Sequence, residues 1–197
     1  MAADTRTRIV AATCELFRRQ GMAGTGLKQI AQTANAPFGS IYHFFPGGKA
    51  ELTEEVIRSW GVMYRNLVVT VFQSCPDLPT AIEASFAGAA ESLALTDYAD
   101  GCPVATVALE VASTDETLRI ATADVFTDWV DVGSDLIAYT GLPPDVRRRL
   151  MIGFISSLEG AFVLSRSLRS KEPLEAAGHM VLQSALATLA EHAARAG

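Results

Sequence analysis

Residues 36–52, APFGSIYHFFPGGKAEL, gather several groups able to act on a partner. Ser40, Tyr42 and His43 supply a hydroxyl, a phenol and an imidazole, and Lys49 adds an ammonium just past a Pro-Gly-Gly turn. Such groups hydrogen-bond phosphate oxygens, and Ser40 can also donate to a base edge. Gly39, with no side chain, lets a backbone approach closely. Lys49 would open the next helix, where charge and free N–H groups both attract phosphate. The competing reading is that the aromatic cluster is plain core. That reading suits Phe45, which with Ile41 four residues earlier is expected to face inward and hold the segment. Phe44 takes no assignment.

Catalytic chemistry finds little support. GMAGTG at 21–26 has glycines in the wrong spacing for a dinucleotide loop and follows a helix rather than a strand. The three histidines, His43, His179 and His192, do not fall in HExxH spacing, and no Cys/His cluster suggests zinc. No metal, cofactor or enzyme activity is therefore expected. Glu110 and Glu159 are carboxylates inside apolar runs, but no spacing sets them as an acid/base pair, and nothing positions Cys102 against a histidine. An all-helical protein-binding adaptor would explain the body of the chain but not its basic, aromatic front.

The elements that must carry these groups read as helices almost throughout. Asp4 or Thr5 can cap a first helix whose apolar residues Ile9, Ala12, Leu16 and Phe17 recur at helical spacing. Arg18 and Arg19 suit the negative end of its dipole, and Gly21 stops it. Thr25 is the expected N-cap of a short second helix with Leu27, Ile30 and Ala31 on one face. TANAP at 33–37 breaks it. A third helix is predicted over about 37–44, giving a helix-turn-helix. A long fourth helix follows PGGK and runs through the β-branched LVVTVF to Cys75, with Leu52, Val56, Trp60, Tyr64, Leu67 and Val71 on one face. Further helices are predicted over about 79–95, 104–112, 115–139, 144–168 and 173–193. Ser113 and Glu116 form a possible capping box for the third of these. Cys102 before Pro103 marks another helix start. The fold class is all-α: a three-helix helix-turn-helix unit over 1–50, of the kind that enters DNA grooves, and a larger helical body over 51–197.

Bulk properties agree. The chain has 197 residues, 49% hydrophobic, enough for a sizeable core. Its net charge of −6 hides an asymmetry. Residues 1–49 hold six cations (Arg6, Arg8, Arg18, Arg19, Lys28, Lys49) against Asp4 and Glu15, while the remainder holds ten against twenty. A basic front on an acidic body suggests a polyanion partner for the front alone. Three well-separated cysteines make no disulfide framework. The start lacks a signal-peptide layout. The longest charge-poor run, LMIGFISSLEGAFVLS, falls short of a membrane span and is interrupted by Glu159. The expectation is a soluble, cytoplasmic protein without a membrane partner.

The segment TGLKQIAQTANAPFGSIYHFFPGGKAEL, in its context of about residues 5–60, resembles the N-terminal domain of TetR-type (tetracycline-repressor-like) transcriptional regulators. The resemblance implies DNA contacts from Thr25, Ser40, Tyr42, His43 and Lys49. Pro37 and Phe38 depart from the Ser-basic pair of many members, Phe44 replaces a usual histidine, and the turn has one extra glycine. A lost cation at 38 removes one phosphate or guanine contact, and Phe38 can instead pack on a thymine methyl. FPGGK, GCPVATVALE at 101–110 and SLEGAFVLSRSLRSKEPL at 157–174 are similar to the LmrA/YxaF-like branch. That branch implies a homodimeric repressor, released from a palindromic operator by a small hydrophobic or aromatic effector.

On this reading Arg6, Arg8, Thr25, Lys28, Tyr42, His43 and Lys49 hold backbone phosphates while Phe38, Gly39 and Ser40 lie nearest bases. Candidate effector walls in the body are Trp60, Tyr64, Phe86, Val107, Phe126, Trp129 and Phe162, with Glu110 or Glu159 orienting a polar group. For each aromatic the competing reading is core. Small residues Gly153, Ser156, Ser157, Gly160 and Ala161 alternate with Phe154, Leu158 and Phe162, so the last two helices can pair closely with a symmetry mate.

Overall fold

The computed structural model describes residues 4–196. Among these residues there are nine α-helices, one 3-10 turn and no strand. The helices are α1 (Thr5–Gln20), α2 (Leu27–Thr33), α3 (Phe38–Phe44), α4 (Lys49–Ser74), α5 (Leu78–Leu95), α6 (Pro103–Val111), α7 (Glu116–Leu136), α8 (Pro144–Leu168) and α9 (Glu172–Ala196). The all-α expectation holds, and the helix through LVVTVF is continuous.

Two compact units emerge. The first joins residues 1–63 to 100–126, so α6 and the start of α7 pack with the helix-turn-helix. The second joins 64–99 to 127–197. Helices α4 and α7 contribute residues to both.

In the first unit Ile9, Phe17, Ile30, Ile41, Phe45, Leu52 and Ile57 are buried. They come from α1 to α4 at helical spacing, and each such side chain contributes about 1.5–3 kcal/mol by leaving water. Asp4 caps α1 by accepting from Thr7 N–H at 2.8 Å. Arg18 and Arg19, in the last turn of α1, both pair with Asp100, at 3.2 and 3.0 Å. Helix α2 ends in a Schellman arrangement: Ala36 N–H donates to Ala31 C=O and Asn35 N–H to Gln32 C=O. Asn35 takes the left-handed conformation, φ 48°, that this ending requires.

Two predicted caps are corrected. Thr25 does not cap α2; Gly26 occupies that position without a side-chain bond. Thr25 is buried and its hydroxyl donates to Gly21 C=O at 2.6 Å. Helix α7 is capped by Asp115, which accepts from Leu118 N–H at 3.0 Å, so the Ser113–Glu116 box does not form. Cys102 does begin α6, its Sγ accepting from Ala105 N–H at 3.4 Å.

The second unit packs α5 against α9 and α8 against α9. Phe154 lies edge-on to both Phe72 and Phe86, with centroids 5.8 and 5.3 Å away. A Cβ placed on Gly178 would lie 2.8 Å from the Phe86 Cβ, so α5 and α9 meet at closest approach there. The 25-residue α8 also corrects an expectation. Its most apolar window reaches a mean hydropathy of 1.2 and is only 22% buried, so by length and composition it is apolar enough to cross a membrane. Most of that window is left uncovered by the rest of the chain.

Burial also sorts the thiols. Cys14 and Cys102 are buried, Cys75 half-buried. Burial pushes the Cys14 thiol well above the usual range. Native protein is expected to release one equivalent of chromophore from a neutral-pH disulfide reagent, through Cys75, and three after unfolding. Rapid modification of Cys14 in the native state would contradict this packing.

Candidate nucleic-acid interface

The interface is assembled from two short helices with no side-chain caps of their own. Ile41 and Phe45 are buried and fix α3 from behind. That leaves Phe38, Gly39, Tyr42 and His43 outward, with Phe38 44% and Tyr42 50% exposed. Phe38 and Tyr42, one turn apart, meet edge-on at 5.9 Å. Phe44 is half-buried and edge-on to His43 at 4.8 Å. Ser40 is half-buried and Lys28, on α2, exposed. No described residue bonds the side chains of Lys28, Ser40, Tyr42 or His43. A Cβ built on Gly39 meets nothing within 4 Å.

The extra glycine of the PGGK turn now has a reason. Gly48 is buried at φ 68°, and a Cβ there would lie 3.5 Å from the Tyr42 ring. Glu51 in the first turn of α4 accepts from Gly47 N–H at 2.7 Å, closing the turn.

The remaining predicted contact residues form the frame. Arg6 pairs with Glu55 at 3.1 Å and lies 5.3 Å over the Phe45 ring. Arg8 donates to Ala34 C=O at 3.1 Å and Asn35 C=O at 3.4 Å, tying α1 to the α2–α3 turn. Lys49 Nζ donates to Met22 C=O at 2.6 Å. Thr25 is sealed inside the α1–α2 turn. Sequence reading had no signal for Gln20, which donates to Gly24 C=O at 2.8 Å and bonds Gln29 at 2.8 Å.

Comparison with known proteins bears on what such a head belongs to. Residues 9–56 match the domain described as bacterial regulatory proteins, tetR family, and residues 79–180 match the C-terminal domain of LmrA/YxaF-like transcriptional regulators. The chain belongs to the TetR family. The HTH-type transcriptional regulator LmrA of Bacillus subtilis is 30% identical over 87% of this chain and 91% of its own. YxaF of the same organism is 33% identical over 87% and 90%. A crystal structure of regulatory protein TetR from Rhodobacter sphaeroides superposes with a TM-score of 0.82 over 91% of this chain and 97% of its own, at 21% identity. This TetR-family chain is thus a DNA-binding transcriptional regulator, and its relatives are regulators rather than enzymes.

The predicted effector walls divide. Phe86 is core of the second unit and Val107 core of the first. Both Glu110 carboxylate oxygens accept backbone N–H groups, from Met22 at 3.0 Å and Ala23 at 2.6 Å. Tyr64 and Trp129, half-buried in the second unit, have ring centroids 6.3 Å apart. Phe162 is packed on the edge of that unit's core, and Glu159 is half-buried on α8. Trp60 and Phe126 are half-buried in the first unit, with the Arg18 guanidinium 5.2 Å over the Trp60 ring.

A groove of ≈ 540 Å³ lies between α8 and α9. It is lined by none of the predicted walls but by residues including Leu142, Val146, Leu150, Phe154, Val181 and His192. Beside it the outer side of α8 presents Ile152, Val163, Leu164 and Leu168, and α9 presents Met180 and Leu186, all exposed. Cβ atoms on Gly153 and Gly160 would meet nothing within 4 Å.

Proposed function

We propose that this regulator is a homodimeric, cytoplasmic repressor that leaves a palindromic operator when a small hydrophobic or aromatic effector binds. Residues 1–50 read DNA, and 51–197 dimerise and take the effector. The observation that carries this reading is the outward face of α3: two aromatics, an imidazole and an unobstructed glycine, held from behind by Ile41 and Phe45. A soluble chain keeps such a face uncovered only at a cost. Lys28, Tyr42 and His43 bind phosphate, and Phe38, Gly39 and Ser40 meet bases. Arg6, Arg8, Thr25 and Lys49 support the head from within.

One helix-turn-helix reads one half-site, so a palindrome requires two chains, with half-sites about 34–36 Å apart. The uncovered apolar side of α8 and the α8–α9 groove support pairing there. Gly160→Leu tests it. Gly160 is exposed and a Cβ there meets nothing within 4 Å, so the fold should be kept, while sedimentation should show dimer dissociation raised about tenfold or more. An unchanged dimer would place the interface elsewhere. Tyr64, Trp129 and Phe162 are the proposed effector wall, with Glu159 for a polar group. Release requires that the effector bind the DNA-incompetent state more tightly.

The deciding experiment is a selection from sheared DNA of the source genome in the presence of competitor, with the retained fragments sequenced. A recurrent inverted repeat is expected. No enrichment, even at low salt where phosphate attraction is strongest, would overturn the reading.

A further inference from the structure

The α1–α2 turn is held at more points than its own sequence explains. Gly21 ends α1 at φ 78°, and any side chain there would collide with Glu110 Oε1. Glu110, from α6, receives Met22 N–H on one oxygen and Ala23 N–H on the other. Lys49, the first residue of α4, takes the Met22 carbonyl from the opposite direction of the peptide. Thr25 and Gln20 bond the Gly21 and Gly24 carbonyls. Successive amides on one carboxylate form an anion-binding nest, here filled by the chain itself. Three residues after Gly24, α2 begins at Leu27 with no side-chain cap, so its starting point is set by this turn. Helix α3 is packed in turn on α2.

We propose that Glu110 is a positioning residue for DNA reading. With Lys49 it fixes the Gly21–Gly24 turn, and through the turn the placement of α2 and α3. Helix α6 therefore holds the reading head by a charged, two-oxygen contact, and any displacement of α6 acts on the head through Glu110. This rests on the DNA-reading function proposed above.

The test exploits a sign. Glu110→Gln removes a negative charge from the basic unit and nearly keeps the side chain's shape. Charge alone would tighten binding to any DNA. Positioning instead requires weaker binding to the selected operator, because the amide of Gln offers one acceptor and opposes the second N–H with a donor. The expected result is about tenfold or greater loss of operator affinity. Binding to random-sequence duplex at low salt should be unchanged or tighter, and exchange of the Met22 and Ala23 amides faster. Equal or tighter operator binding would overturn the inference, as would unchanged exchange of those amides. If the Gln variant fails to fold, Glu110→Asp, which keeps the charge but withdraws it by one methylene, is measured the same way. Absence of any fragment enriched by the wild-type chain would overturn the DNA reading itself, a failure distinct from an operator that Glu110→Gln still binds normally.

Discussion

Gly39→Ala is expected to make the protein more stable and a weaker DNA binder. Glycine inside a helix costs about 0.5–1 kcal/mol relative to alanine, through the freedom it loses on folding. The chain offers no return for that cost at position 39. The residue is helical and exposed, and its missing Cβ would meet nothing within 4 Å. Contrast Gly48, where a positive φ accounts for glycine. A reason for Gly39 must then lie outside the chain, and a base edge or sugar in close approach to the α3 backbone provides one. The methyl group should cost on the order of 1–3 kcal/mol of operator affinity, comparable to losing one good base contact. Thermal unfolding should meanwhile shift upward. Fluorescence anisotropy on a selected fragment and a thermal melt give the two signs. Undiminished affinity would turn the DNA-facing side of α3 away from Gly39.

The same contrast shows what the sequence could disclose. Helix positions were legible because caps, breakers and apolar spacing act within a few residues: Asp4, Gly21, Asn35 with Pro37, and Cys102 with Pro103 all mark real ends. The outward set Phe38, Gly39, Tyr42 and His43 was legible for the same reason, since Ile41 and Phe45 fix which face turns inward. Caps failed where the true cap lay one or two residues from the expected one, as with Gly26 for Thr25 and Asp115 for Ser113. The contacts of Lys49 and Glu110 were hidden for another reason. Their partners lie 27 and 88 or 87 residues away in the chain, on a turn whose backbone groups carry no sequence signature. A charged residue beside a binding motif suggests a ligand, and only coordinates show that a backbone amide already fills that role. For Phe86 and Val107, spacing reports burial but does not separate a cavity wall from solid core.

Phe86→Ala is expected to cost about 3–5 kcal/mol of folding stability, the range for removing a buried aromatic side chain. Domains commonly possess only about 5–15 kcal/mol in total, so the variant should be close to unfolding at physiological temperature. The upper part of the range applies because the site cannot collapse. Phe86 is 2% exposed, and Gly178 already brings α9 to closest approach at its Cβ, so no neighbour on that side can move inward. The edge contact with Phe154 is lost as well. Urea unfolding followed by circular dichroism measures the cost. A loss under about 1 kcal/mol, far below the range for a buried aromatic, would mean that Phe86 borders an empty or ligand-filled space, as its sequence context first suggested. The damage should also reach the surface. Phe154 is wedged between Phe72 and Phe86 and forms part of the α8–α9 groove. Freed on one side, it no longer supports that groove, so dissociation of the proposed dimer should rise even under conditions where the variant chain remains folded.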